Sequence, residues 1–393
     1  MDRSMRHALA ALLLGGVAAC ADSGASVGYN VDTSATGVVT VSNATPTDWS
    51  DTAGQWRIVE VARLAASDDT AGAIVAPRHA ALDAGGRLIV VEESPVSLRM
   101  LEMDGTLLRQ LGRDGEGPGE YRSPIPVVFG PYIAVDDPRL ARLTVFDTAG
   151  TLLRTFPAPC CHYASVASDD SGRVYLRASH EADSTASAAI ARIDVNSGQT
   201  DTVMLRRVGP PQRLWQFEIQ GGRMSYSIPF QPYDVTGITP AGTILRGWSG
   251  RYEYLERTFD GDSIRVVRRE WAPVERPEEV RRERYDEMTE SLREQVGDAA
   301  VNQVMNFADI PADAEPMPGL NTDGAGNVWV PIYVPGAETR HYDVFSPEGI
   351  WRGTLSTPWA SDEYPSWVAD DRVVTQGVNK DGYPYIRVWR VEK

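Results

Sequence analysis

The chain has 393 residues, a formal net charge of −16, 42% apolar residues and 23% charged residues. That length suits one large all-β domain, and the apolar fraction is ordinary for a folded protein. The acidic balance argues against a nucleic-acid partner and against direct attraction to an anionic lipid surface, while remaining compatible with a neutral or cationic partner.

Met1 to Cys20 reads as an export signal: Arg3 and Arg6 supply a positive start, and Ala8 to Val17 is apolar but too short to span a bilayer. It ends in Val17-Ala18-Ala19-Cys20, which resembles the lipobox of bacterial lipoproteins. The resemblance implies cleavage before Cys20 and acylation of its thiol and new amino group. Ordinary secretion, with Cys20 merely near an A-x-A cleavage site, is the other reading. Several acyl chains would anchor the protein stably, since each buried CH₂ contributes about 0.8 kcal/mol. Ala21 in place of an Asp after Cys20 implies the outer membrane, facing the periplasm or the surface. Residues 21–53, rich in Ser, Thr, Gly and Ala, read as a flexible tether to a single folded domain, 54–393.

Gln55 to Leu64, QWRIVEVARL, alternates at period two and reads as a strand. A repeat follows. Leu82 to Leu111 runs LDAGGRLIVVEESPVSLRMLEMDGTLLRQL, with strands separated by Gly-bearing turns. Degenerate copies occupy Val127 to Phe156, Ser168 to Val203 and Ile238 to Val267; the clearest is Asn321 to Leu355, and Ser366 to Val391 lacks a last strand. One such sheet cannot bury a face alone, so six in series predict a β-propeller. The strand at Gln55 to Leu64 is expected to complete the sixth blade and close the ring, removing exposed edges.

In a propeller the turns between first and second strands, and between third and fourth, share one face. Here they are uniformly short, and every long connection belongs to the other face: Gly112 to Pro124, Pro157 to His162, Arg206 to Gln231 and Glu270 to Pro318. Long structured loops are where binding concentrates, so a ligand is expected on that face; insertions that merely cover the channel mouth are the alternative. Gly112 to Pro124 is GRDGEGPGEYRSP. Its glycines could form an anion nest, but it lacks a P-loop ending, and Arg113, Asp114, Glu116, Glu120 and Arg122 can pair among themselves and brace neighbouring blades; Arg113, Glu120 and Tyr121, with Cys160 and Cys161, are also candidates for ligand contact at the channel mouth. The segment Gly115, Gly117, Pro118, Gly119, Glu120 and Tyr121 resembles a large group of bacterial six-bladed β-propeller lipoproteins, loosely similar to NHL-repeat proteins. A helical insertion before the fifth blade and the D-x-x-G-N-V-W-V start of that blade extend the likeness over nearly all of the mature chain. It implies the fold and hardly any activity.

Cys160 and Cys161 are adjacent and precede His162 and Tyr163. Thiols seldom stay free in an oxidising compartment. Adjacent Cα atoms lie about 3.8 Å apart, below the usual disulfide range of about 4.4–6.8 Å. A vicinal disulfide would therefore be strained and rigid, a platform for a ring-shaped ligand. A Cys-Cys-His metal site and plain packing stay open; zinc would want a fourth ligand, for which His79 is the candidate. Aligning the blades places Arg78 and His79, His162 and Tyr163, Tyr233 and Asp234, and Met317 and Pro318 around the channel mouth, a ring suited to a small organic or saccharide ligand.

Known propeller chemistries fit poorly. A lactonase-type calcium floor would need more carboxylates than Asp234 and the amide Asn321, and the Asp-box of sialidases is missing. Lyases on NHL-type propellers use metal-binding His residues, for which His79 and His162 could serve. Arg276 to Phe307 is the one helical stretch, with Pro277 at its start, Glu278 and Glu279 in its first turn, and an apolar stripe through Val280, Tyr285, Met288, Leu292 and Val296. That stripe is expected to pack on the propeller; a lid or partner-binding role is the alternative. The expectation is a monomeric, lipid-anchored propeller without a cofactor, binding a small molecule, saccharide or envelope protein. The alternative is a hydrolase or lyase using one divalent metal.

Overall fold

The computed structural model describes residues 28–49, 54–65, 74–83, 85–159, 166–178, 186–219, 221–368 and 371–393. Three strands precede the first blade: β1 (Tyr29–Thr33), β2 (Val39–Asn43) and β3 (Arg57–Ala65). Beyond them the chain forms six antiparallel sheets in series. Their inner strands are Pro77–Leu82, Ile125–Phe129, Val166–Ser168, Asp234–Ile238, Asn321–Thr322 and Tyr364–Val368. Five sheets take their second, third and outer strands from consecutive segments. The sixth has three strands of its own and receives β3 as its fourth, antiparallel to Pro384–Glu392 from Tyr385↔Ala65 to Glu392↔Arg57. The fold is thus the expected closed six-bladed β-propeller.

Its core lies between blades. Successive side chains of a strand point to opposite faces, so Val90 packs toward Val374 and Ile386 of blade 6, while Val91 packs toward Ile133 and Val135 of blade 2. This is why the second strands read as near-continuous apolar runs: both faces are covered.

Part of the segment read as a tether is structured. The hairpin β1–β2 adds to the outer strand of blade 4 through parallel pairing, Val39↔Arg265 to Asn43↔Arg269. The V-T-V-S-N alternation of β2 supplies the one-sided apolar face that such an edge accepts, with Val41 buried. Asn43 then bridges to blade 5, donating to the Gly349 carbonyl at 3.0 Å and accepting from Trp351 N–H at 2.8 Å. Trp49 is buried against Trp56, Trp329 and their neighbours between blades 5 and 6.

The two longest insertions form one cap. Leu214–Ile219 and Gly222–Ser227 make a hairpin between blades 3 and 4; α1 (Glu278–Val296) and α2 (Asp298–Val304) lie between blades 4 and 5. Trp215, Phe217 and Ile228 pack with Leu292, Val301, Met305 and Ile310 in a cluster that draws only on these insertions. The apolar stripe of α1 therefore packs on the hairpin rather than on the propeller, and Val280 is left exposed. The physical reason is that the propeller's apolar faces are already buried between blades, so each insertion has only the other to bury against.

Candidate functional site

The blades enclose an axial channel of about 1310 Å³ lined from all six of them. Its two ends are built differently. At the end carrying the short turns, the repeat D-x-x-G-[R/N] organises the first hairpin of three blades. Asp83 accepts from Arg87 N–H at 2.8 Å and Arg87 Nε at 2.7 Å. Asp169 does the same for Arg173 and also accepts from the Tyr175 hydroxyl at 2.8 Å. Asp323 accepts from Asn327 N–H and Nδ2, both at 2.8 Å to one oxygen or the other, and from Trp329 Nε1 at 3.2 Å. Burial raises the Asp323 carboxyl, opposed by those hydrogen bonds. Gly86 and Gly326 sit at φ 81° in these turns, a backbone region that an L side chain rarely enters. In blade 4 Thr239 replaces the Asp and receives the Thr243 N–H at 3.1 Å.

At the other end the long connections meet. Tyr233 and Pro318, where the two cap insertions rejoin the propeller, both line the channel. The Tyr233 hydroxyl donates to the Pro318 carbonyl at 2.6 Å, tying the two exits together. Asp234 accepts from Val208 N–H at 3.0 Å and Gly209 N–H at 2.9 Å, and pairs with Arg246 at 3.2 Å. Arg246 is 4% exposed and also donates to Thr236 Oγ1 at 2.7 Å and to the Arg206 carbonyl at 2.8 Å. Burial lowers the Arg246 pKa first of all, and the Asp234 carboxylate opposes that shift. Arg177 lines the same channel and is exposed, with no hydrogen bond or ion pair among the described residues.

The residues expected at the mouth divide into groups. Tyr233, Asp234 and Pro318 are there. Met317 is not: it is fully buried in the cluster between blades 4 and 5. Arg78 and His79 lie on the inner strand of blade 1 but outside the channel lining. Arg78 pairs with Glu93 at 2.8 Å. Burial, then the Arg78 charge, lowers His79 to about 4, against the opposing effect of Glu93. Among the described residues no three His, Cys, Asp or Glu side chains gather as a metal site. Cys20, Cys160, Cys161, His162 and Tyr163 lie outside the described residues.

Arg113, Glu120 and Tyr121 hold the loop between blades 1 and 2 and do not reach the channel. Glu120 accepts from Gly117 N–H at 2.9 Å, Glu116 N–H at 3.1 Å and Arg113 Nε at 3.1 Å, and these, Gly117 first, hold its carboxyl below the usual range. Arg122 pairs with Asp114 and Glu116. Arg142 of blade 2 donates to the Glu116 and Gly117 carbonyls at 3.1 and 3.0 Å. Tyr121 is a core residue, 1% exposed, and burial pushes its hydroxyl up to about 12. A Cβ on Gly112 would lie 2.2 Å from its ring, so this glycine is required by close approach. The loop braces two blades because its charged groups pair within it while Arg142 and Asp137 of blade 2 bond to its backbone.

Sequence reasoning missed Arg177 and Arg246. The available signal was a charge breaking the apolar second strand. The fourth residue after the turn glycine is Val90, Leu176 and Val330 in blades 1, 3 and 5, but Arg246 in blade 4; Arg177 is the fifth in blade 3.

Fold and site together define a six-bladed β-propeller with a capped axial channel. No protein-family model matches the chain, and no curated protein matches it. Among solved structures it is similar to a DUF4221 family member from Bacteroides vulgatus (10% identity, TM-score 0.48, 86% of this chain and 99% of that one). It is also similar to a presumed exported protein from Bacteroides fragilis (12%, 0.45, 90% and 100%). A third is virginiamycin B lyase from Staphylococcus aureus (7%, 0.40, 85% and 99%). At such identities nothing about binding or activity passes from them to this chain.

Proposed function

We propose that this protein binds a small ligand in the axial channel, admitted at the long-connection end beside the cap. The observation that supports it best is the coincidence of two features at one end. Tyr233 and Pro318 line the channel there, and both cap insertions rejoin the propeller at these same residues. Concave cavities on a rigid scaffold are the usual place for a small-molecule site, and this one is lined by polar as well as apolar groups. The test is native mass spectrometry of protein purified from its own cell envelope, beside an Ala167→Trp variant that obstructs the channel, since Ala167 lines it. A small molecule retained by the parent and lost from the variant supports the reading. Equal retention, or none in either, sinks it.

The envelope setting belongs to the same proposal. Its support is the VAAC sequence at Cys20, read as a lipid anchor placing a monomeric propeller on the outer membrane. Among the described residues no helix is long and apolar enough to cross a membrane. Cys20→Ala should abolish palmitate incorporation and move the protein to the soluble periplasmic fraction; unchanged labelling overturns the anchor. A metal-dependent hydrolase or lyase is the second reading. It keeps one support, a His79 imidazole held neutral at physiological pH, the form that ligates metals. Elemental analysis without chelator tests it: a metal lost on His79→Ala favours it, and none retained removes it.

A further inference from the structure

The cationic end of the channel suggests what kind of ligand it takes. On the second strand of blade 3, Leu176 packs toward Val174's neighbours in blade 2, among them Ala134 and Leu143. Its successor Arg177 therefore faces the other way, toward blade 4. On the second strand of blade 4, Leu245 packs with Met317, Val330 and Phe345 toward blade 5. Its successor Arg246 therefore faces blade 3. The two guanidinium groups thus face each other across one blade interface, and both line the channel. The positive charge of Arg177 is among the effects that lower the Arg246 pKa, alongside that of Arg257.

The carboxylate beside these two arginines, Asp234, pairs with Arg246. Asp234 is already engaged by Arg246 and by the Val208 and Gly209 N–H groups. Arg246 is held by Thr236 and the Arg206 carbonyl. Arg177 has no such partner among the described residues. An unpaired guanidinium inside a channel is notable in a chain of net charge −16, where carboxylates outnumber cations. Tyr233, 38% exposed with its hydroxyl pinned to Pro318, offers an aromatic face at the same end.

We infer that the channel ligand is an organic oxyanion, a carboxylate- or phosphate-bearing small molecule whose charged group pairs with Arg177 and whose body lies against Tyr233. This rests on the channel-binding reading above. Arg177 is a fork of N–H donors matched to an oxyanion, and such charge-assisted bonds are about twice as strong as neutral ones. Arg246 contributes a fixed positive field rather than a new bond, because its donors are occupied. Arg177 breaks no hydrogen bond or ion pair with the described residues on meeting an anion.

Isothermal titration of the full chain in detergent micelles tests this with four probes: inorganic phosphate, citrate, glucose 6-phosphate and glucose. The variants are Arg177→Gln, Arg177→Lys, the channel-obstructing Ala167→Trp, and Arg57→Gln as a surface control outside the channel lining. Citrate and the two phosphates distinguish the carboxylate from the phosphate source. The expected result is that at least one anionic probe binds, that Arg177→Gln weakens it tenfold or more, that Arg177→Lys retains part, and that Arg57→Gln changes nothing. Higher salt should weaken it as well. Anion binding unchanged in Arg177→Gln, or no binding by any anionic probe, overturns the inference. Glucose binding as tightly as glucose 6-phosphate also overturns it, while leaving the channel reading intact. Binding that survives Ala167→Trp overturns the channel reading itself.

Discussion

The two ends of the channel use polar groups in opposite ways. At the short-turn end, Asp83, Asp169 and Asp323 are buried, and each is satisfied by donors from its own hairpin. At the long-connection end, Arg246 and Asp234 draw on other segments, and Arg177 has no partner among the described residues. A buried polar group satisfied within its own turn serves the fold, because removing it strands donors that water cannot reach. A charge left over after local needs are met is free to meet a ligand. The difference separates scaffold from site within one cavity, although carboxylates at the first end and arginines at the second read equally as charged residues in the sequence.

Substitutions can test that separation. The largest effect is expected at Arg246→Met, which leaves the largely buried Asp234 (side chain 11% exposed) without its cation; breaking such a pair costs about 3–4 kcal/mol. Urea unfolding should show the loss, and a change below about 1 kcal/mol would mean that water already reaches the pair. Next comes Asp323→Ala, which strands the Asn327 N–H and Trp329 Nε1 and should cost about 3 kcal/mol without altering ligand binding. A binding defect there would blur the distinction between the two ends.

Asp136 supplies a pH test at the second strand of blade 2. It is 1% exposed, its Oδ1 has no partner among the described residues, and burial first, then the charge of Asp137, raises its pKa to about 7 from 3.8. The folded state therefore holds the proton more tightly than the unfolded state does. Stability should fall as pH rises from about 4 to about 7, with the full cost of a buried carboxylate present above that window. Asp136→Asn should stabilise by about 2 kcal/mol at pH 8 and by almost nothing near pH 3.5. An equal effect at both pH values would show that packing, not ionisation, is responsible. Smallest is Arg177→Gln, expected to move the urea midpoint by no more than about 0.5 kcal/mol while weakening anion binding. A large loss of stability would make Arg177 a structural residue.

Much of this molecule is legible in its sequence because propellers are repetitive. The turn carboxylates and glycines recur with the blade, the second strands are apolar on both faces, and the alternation of QWRIVEVARL marks a strand in need of a sheet. From these follow six blades, closure by β3 and the crowding of long connections at one end. Of the residues that alignment on the turns brings to the inner-strand entrance, Tyr233, Asp234 and Pro318 line the channel, whereas Arg78 and His79 do not. The alignment also failed for Met317, because a residue one position from the lip can point into the interblade core. The burial of Tyr121 was not legible either, since its place in a Gly-rich loop gives no sign that its ring fills the space left by Gly112.

Local pattern determines which segments become strands, which turns they make and how many sheets must share their faces, because those choices depend on neighbours within a few residues. Tertiary structure alone decided the rest. It set β1 and β2 on the edge of blade 4, since a Ser- and Thr-rich segment pairs only where an edge is open to receive it. It joined the insertions at Leu214–Ser227 and Glu278–Val304 into one cap, since each lacked any other surface to bury. It also turned Arg177 and Arg246 toward each other across a blade interface, a meeting set by the packing of two sheets whose side chains carry no mark of it in sequence.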